Sequence, residues 1–265
     1  MMRVLVFGNS HVAAWRAGWD GVAASVAGVE MGFFSLPEKI FQRYRFRATG
    51  LFAPRRSVTA DELERVKAIN DGQVECDPTG IDVAVCVGAG WAPEQALAFA
   101  ALGDPPDGCG GGTGRAVYGP GFLRAALQEA CAQTVAGWPV ALRTRRRPIV
   151  FGRPVYAETC LDSSHRLYAP WHAVAGHPEA AAWFMAAYRD CLTAEAAEKG
   201  IEFLAPPDEL QGRLGLTRAE FLAEGGGVVD PEAPGARGDH SHMNAAYGQA
   251  CIRHLLAHLS RDGRP

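Results

Sequence analysis

The sequence predicts a three-layer α/β/α fold on a mostly parallel, five-stranded sheet. Short apolar runs without polar alternation, amphipathic segments between them, and a length of 265 residues with no internal repeat point to it. One domain spanning residues 1–265 suits that length. The run at residues 4–7 reads as a strand buried on both faces, and the runs at 29–36, 81–87, 149–151 and 201–204 read as further strands. Between them, apolar residues recur at helical spacing. Val12, Trp15, Trp19 and Val22 share one face, as do Phe122, Leu123, Ala126, Leu127 and Ala130. Phe184, Met185, Tyr188 and Leu192 form a third such face, and Cys251, Ile252, Leu255, Leu256 and Leu259 a fourth. Strands separated by helices imply right-handed crossovers. Residues 103–121 are dense in Gly and Pro, and residues 225–242 lack periodicity, so both read as loops.

Composition excludes several classes. With 48% hydrophobic and 21% charged residues and a net charge of −3, the chain is an ordinary globular one with no basic surplus for nucleic acid or anionic membranes. The first apolar run, Val4-Leu5-Val6-Phe7, is too short for a signal sequence, and no stretch approaches the ~20 apolar residues of a membrane span. Seven cysteines without a CxxC pair read as reduced thiols, so a cytoplasmic location is expected.

Two segments carry chemistry. Gly8-Asn9-Ser10-His11 follows the first strand and opens the first helix. In a parallel sheet, ligands bind beyond the carboxyl ends of strands, so topology puts Ser10 on the active edge. There the helix dipole favours a developing negative charge. The alternative is that Ser10 only caps the helix. Asp239-His240-Ser241-His242-Met243-Asn244, with Gly248 beyond, precedes the last helix. A carboxylate three residues before an imidazole can turn back onto its Nδ1–H and leave Nε2 as a base for a serine hydroxyl. The alternative there is a capped helix start with surface histidines.

Together the segments resemble the first and last blocks of the SGNH (GDSL-type) hydrolases. GNSH is similar to their GDS block, and DHSHMNAAYG to their closing block of Asp, two residues, then His. The resemblance implies a flavodoxin-like fold and a triad of Ser10, Asp239 and His242. It also implies an oxyanion hole of the Ser10 N–H, a second-block glycine, for which Gly50 is the candidate, and a third-block glycine and asparagine. The third block reads Gly88-Ala89-Gly90-Trp91, with Gly90 where the asparagine should stand. One missing donor costs ~10²–10³ in rate. An asparagine at Gly90 would restore the donor if the loop accepts a side chain.

Other residues fill in the expected site. Arg43-Tyr44-Arg45-Phe46-Arg47 follows the second strand, and Arg43 and Arg45 are candidates for an anionic or sugar-like substrate, against a solvated segment with its rings packed inward. Trp91 and Arg153 follow strands and are further substrate-binding candidates, whereas Arg143 and Arg145-Arg146-Arg147 precede a strand and read as a solvated turn. His240 and His242 with Asp239, completed by His165, His172 or His177, could instead ligate a metal. No GxGxxG or GxxxxGK[ST] motif supports nucleotide binding. The expected activity is serine-dependent hydrolysis or transfer of a short acyl group, acetyl above all, on a polar ester such as a carbohydrate, with no cofactor or metal. The rivals are a non-catalytic carbohydrate- or partner-binding domain and a metal-dependent hydrolase.

Overall fold

The computed structural model describes residues 1–100, 120–138, 148–227 and 238–261. The central sheet holds β1 (Met2–Gly8), β2 (Val29–Ser35), β5 (Val83–Ala89), β6 (Ile149–Gly152) and β7 (Glu202–Leu204); a hairpin of β3 (Tyr44–Phe46) and β4 (Phe52–Pro54) stands apart. The sheet order is β2-β1-β5-β6-β7, every pairing parallel. The helices are α1 (Val12–Asp20), α2 (Glu38–Phe41), α3 (Ala60–Ile69), α4 (Pro93–Ala100), α5 (Pro120–Ala136), α6 (Ala169–Val174), α7 (Pro178–Glu198) and α8 (Ala245–Arg261). From β1 the chain moves to edge strand β2, then crosses back to β5 on the other side. The strand order therefore reverses between β1 and β5, where parallel sheets open a crevice at their carboxyl ends.

Each strand feeds two cores, which explains the missing polar alternation. Val4, Val6, Val83, Val85, Val87, Ile149 and Phe151 pack with Trp15 of α1 and Cys251, Ile252 and Leu255 of α8. Leu5, Phe7, Ala84, Cys86 and Val150 face the opposite layer, where Val66, Leu97, Leu127, Phe184 and Leu192 come from α3, α4, α5 and α7. The five expected strands and four expected helical faces overlap these elements, with Val22, Leu36, Ile81, Asp82 and Ile201 just beyond their bounds, and the three-layer α/β/α class holds. Two features depart from expectation. The Arg-aromatic segment after β2 is half of the β3–β4 hairpin, with Tyr44 fully buried and Phe52 packed edge-on against Phe7 at 5.3 Å. Helices α3 and α4 also stand where no helical face was read. α3 opens with a capping box in which Thr59 and Glu62 satisfy each other's backbone N–H.

The glycine-rich segment 103–121 and the arginines at 143 and 145–147 lie outside the described residues, except for the start of α5. The six described cysteines are free thiols. Among the described residues, no helix is long and apolar enough to cross a membrane.

One crossing governs how the two ends of the chain meet. α1 and α8 approach until their backbones touch: a Cβ on Gly18 would overlap Gly248 and Gln249, and one on Gly248 would overlap the Ala14 carbonyl. Only glycine permits that approach. Gly248→Ala is expected to lower unfolding free energy by about 1–3 kcal/mol, the usual cost of overpacking. Urea titration measures this, and an unchanged midpoint would show that the helices do not rely on the contact.

Candidate active site

The Asn9–Ser10 turn ends β1 at the crevice. Asn9 shapes it: its carbonyl accepts from the Val12 N–H at 3.1 Å, and its Oδ1 accepts from the His11 N–H at 3.2 Å. The N-cap of α1 is His11, not Ser10. The Ser10 hydroxyl therefore has no capping task. It points instead at His242, with Oγ 2.9 Å from Nε2.

The segment before α8 is held from several sides. The His240 carbonyl accepts from the Ala157 N–H at 2.8 Å, the His242 carbonyl from Ala223 at 2.9 Å, and the Asp239 carbonyl from Gly227 at 2.7 Å. Asn244 caps α8 by accepting from the Tyr247 N–H at 3.1 Å, while its amide donates to the Glu220 carbonyl at 2.7 Å. On this frame the Asp239 carboxylate folds back. Oδ1 accepts from the Ser241 and His242 N–H groups at 3.1 and 3.2 Å, and Oδ2 lies 2.7 Å from His242 Nδ1. A carboxylate only accepts, so Nδ1 carries the proton and Nε2 offers its lone pair to the Ser10 O–H. Burial pushes the Asp239 carboxyl up, but the hydrogen bonds from Ser241 and His242 outweigh it and hold it below the ordinary value. Half the side-chain surface of Asp239 and 44% of that of His242 is exposed, so this line of groups opens to solvent. His240 lies elsewhere: it is buried, with Nδ1 2.9 Å from Thr159 Oγ1 and its ring edge-on to Tyr168.

Two further groups set the electrostatics. His11 is 7% exposed, its Nδ1 has no hydrogen-bond partner, and its ring centroid lies 5.6 Å from that of His242. Burial, with help from the Arg153 and His242 charges and against Asp239, lowers its pKa to about 3. It is therefore a neutral imidazole beside the triad. Arg153 follows β6 at the same edge. Its Nε donates to the Trp91 carbonyl at 2.7 Å, its terminal nitrogen pairs with Glu94, and its guanidinium sits 5.4 Å from the Tyr156 ring centroid. Burial opposes its charge, yet Glu94, Tyr156 and Glu38 together hold its pKa above the ordinary value.

The structure thus brings Ser10, His242 and Asp239 together, with Arg153 nearby, leaves Gly88 and Gly90 at the carboxyl end of β5, and corrects Gly50, Arg43, Arg45 and Trp91. Gly50 sits in the hairpin turn, and its N–H is spent on the Arg47 carbonyl at 2.9 Å, so it has no donor for an oxyanion. Gly90 has a left-handed φ of 72°, and a Cβ there would run into the Trp138 indole, so no asparagine fits. Gly88 closes against Asn9, whose amide a Cβ would overlap. Arg43 is a clamp: it pairs with Glu62 and donates to the Ser57 carbonyl at 2.8 Å. Arg45 donates to the Gln42 and Tyr44 carbonyls at 2.8 and 2.6 Å. The Trp91 ring is buried against Tyr188 and Phe203, 5.5 and 5.8 Å away, so it is core and offers no exposed stacking face. His172 Nε2 lies 2.9 Å from the Ser163 carbonyl, and no three His, Cys, Asp or Glu side chains among the described residues converge as a ligand set. What sequence reasoning missed is the use of Asn9, Glu38 and His11. Their adjacency to Ser10 or to the end of β2 was the one signal available.

No family model matches the chain, and no curated protein matches it. Among solved structures, it is similar to the lipopolysaccharide acetyltransferase periplasmic domain of Salmonella ser. Paratyphi A, with 9% identity over 97% of this chain and 83% of that one and a TM-score of 0.40. It is also similar to a DUF4886 family protein from Bacteroides uniformis, with 11% identity over 94% and 78% of the two chains and a TM-score of 0.36. Likenesses this slight have no bearing on function.

His11 makes stability depend on pH. Its folded pKa of about 3 lies below the ordinary 6.5, so between those values the unfolded chain binds the extra proton and stability falls as pH falls. The expected slope is about 1.4 kcal/mol per pH unit at its steepest. His11→Asn should flatten the fall in unfolding free energy between pH 6 and pH 5 (roughly the upper part of that window). Parallel curves for the two proteins would show that His11 is not buried uncharged.

Proposed function

We propose that this chain is a serine-dependent acyl-ester hydrolase or acyltransferase of the kind its SGNH-like motifs suggest. One observation carries the reading: the unbroken line from Ser10 Oγ to His242 Nε2 at 2.9 Å and from His242 Nδ1 to Asp239 at 2.7 Å. Ser10 attacks the ester carbonyl as its proton passes to Nε2. Asp239 stabilises the resulting imidazolium and keeps the ring in register. The tetrahedral intermediate collapses, and the leaving alcohol takes the proton from His242. Water, or an acceptor alcohol in a transferase, then gives up its proton to His242 and releases the acyl group from Ser10.

The oxyanion contacts in this reading are the Ser10 N–H, at the positive end of α1, and the backbone of the Gly88–Gly90 turn. With no asparagine side chain, turnover on simple esters is modest, slower by ~10²–10³ than with the full set of donors. The substrate is a short acyl ester, acetyl first, on a polar carrier such as a carbohydrate. Arg153, which follows β6 at the same edge and is held by the Trp91 carbonyl and Glu94, is the guanidinium this choice relies on. A second reading, a binding domain that keeps the fold without catalysis, is favoured by one observation: Trp138 fills the space an oxyanion side chain at Gly90 would need.

A fluorophosphonate separates the two. It should label Ser10 in an enzyme and leave a binding domain unlabelled. Ser10→Ala should abolish p-nitrophenyl acetate turnover with the melting temperature unchanged, and His242→Ala should be as damaging. His240→Ala should act through stability, because His240 is buried and bonded to Thr159. Full turnover in Ser10→Ala would remove the hydrolase assignment. A series of nitrophenyl esters tests acyl length. If kcat/KM climbs steadily from acetate to decanoate, the short-acyl assignment is wrong.

A further inference from the structure

We propose that Asn9 and Glu38 form a positioning pair that holds Ser10 for attack, and that the pair requires an amide at position 9. The proposal rests on the reading of Ser10 as nucleophile. Asn9 is 1% exposed and uses its whole amide. One Nδ2 hydrogen goes to Glu38 Oε2 at 2.9 Å and the other to the Gly88 carbonyl at 3.2 Å, while Oδ1 accepts from the His11 N–H at 3.2 Å. The partners set the amide's orientation, since reversing it would point donor at donor and acceptor at acceptor. One buried side chain thereby ties the turn carrying Ser10 to the start of α2, the end of β5 and the first turn of α1.

The backing of the turn is equally determined. The Ser35 hydroxyl donates to the Asn9 carbonyl at 3.3 Å. Ser35 is held by the buried Asn70, whose amide accepts from the Ser35 N–H and donates to the Ser35 carbonyl, each at 2.8 Å. Gly88 must lack a side chain for the Asn9 amide to reach it. These contacts fix the backbone on which Ser10 sits, and its 2.9 Å contact with His242 is lost on a displacement of a fraction of an ångström.

A carboxylate has the shape of this amide but no donor. At position 9 it would face the Glu38 carboxylate and the Gly88 carbonyl together. The other charged or titratable groups around the pair are Arg153 with its partner Glu94, His11, His242 with Asp239, and Lys39 next to Glu38 in sequence. Arg153 pairs with Glu94 and also feels the Glu38 charge, so it offsets part of the repulsion between the two carboxylates but supplies neither with the hydrogen the Asn9 amide gave.

Asn9→Asp tests the pair. At pH 8 the variant is expected to lose about 10²-fold in kcat on p-nitrophenyl acetate, and in the rate of fluorophosphonate labelling, with KM little changed. Repulsion raises the pKa of one of the two carboxylates, and its protonation returns a donor. The ratio of variant to wild-type kcat should therefore rise as pH falls from 8 to 6 (roughly the range in which a raised carboxyl titrates). Adding Glu38→Gln to the variant supplies a donor from the other side and should recover roughly 10-fold at pH 8. Labelling at the wild-type rate overturns the pair. So does a loss that is independent of pH and not relieved by Glu38→Gln, which would mean packing alone. A wild-type protein that does not label at Ser10 overturns the catalytic reading instead, so the two failures are distinguishable.

Discussion

The site depends on two helix backbones being allowed to touch. Ser10 lies two residues before α1, and His242 three residues before α8; the two are 232 positions apart in sequence. Nothing local brings them together. The crossing of α1 and α8 does, because Gly18 and Gly248 remove the side chains that would keep the helices apart. The cost is the conformational freedom two glycines lose inside helices, about 1 kcal/mol each relative to alanine. Burial of Trp15, Tyr247, Ile252 and Leu255 in the shared core offsets it, since each large apolar side chain contributes about 1.5–3 kcal/mol.

Around that crossing the site is divided by exposure. Asp239 and His242 open to water, so the imidazole can take and release protons with solvent and substrate. On the inner side His11 is buried and neutral, and Arg153 is compensated by Glu94. A positive charge on His11 would disfavour protonation of His242, the state the proposed acyl transfer needs once Ser10 gives up its proton. Burial prevents that charge from forming. The inner side thus adds shape and a low dielectric, and its cation, Arg153, is paired with Glu94.

How much of this the sequence reveals follows from what each feature depends on. Strands buried on both faces are legible because their apolar runs are unbroken, as in Val83–Ala89. The convergence of Ser10, Asp239 and His242 is legible because Asp239 and His242 are close in sequence and Ser10 lies just past a strand. The β3–β4 hairpin is not, because Tyr44-Arg45-Phe46 alternates as a binding surface would, and only the packing of Phe52 on Phe7 tells which face is inward. Arg43 looked free for a substrate because its partner Glu62 is 19 residues away, on α3. The box of Thr59 and Glu62 was a local signal for α3, but its link to Arg43 is tertiary. Asn9 likewise reads as one letter of a short motif until Glu38 and Gly88 are placed beside it.

The same contrast bears on the oxyanion position. Gly90 cannot be treated as an asparagine that was merely lost, since its surroundings have closed: Trp138 occupies the space and stacks on Phe203 at 5.9 Å. Restoring a side chain there would displace an aromatic pair from the core, so compensation has to come from groups already at the edge. The Ser10 N–H is the backbone donor for the task, because the His11, Val12 and Ala13 N–H groups that follow it are spent on Asn9 and Ser10. A donor at the head of a helix is aligned with its dipole and needs no reorganisation as negative charge develops. Its effectiveness depends on the turn being rigid, because a backbone donor cannot swing toward the oxyanion as an asparagine side chain can. On the proposed catalytic reading, the absence of an oxyanion side chain at position 90 and the multiply bonded Asn9 are physically linked: fewer donors demand that those remaining be held more firmly.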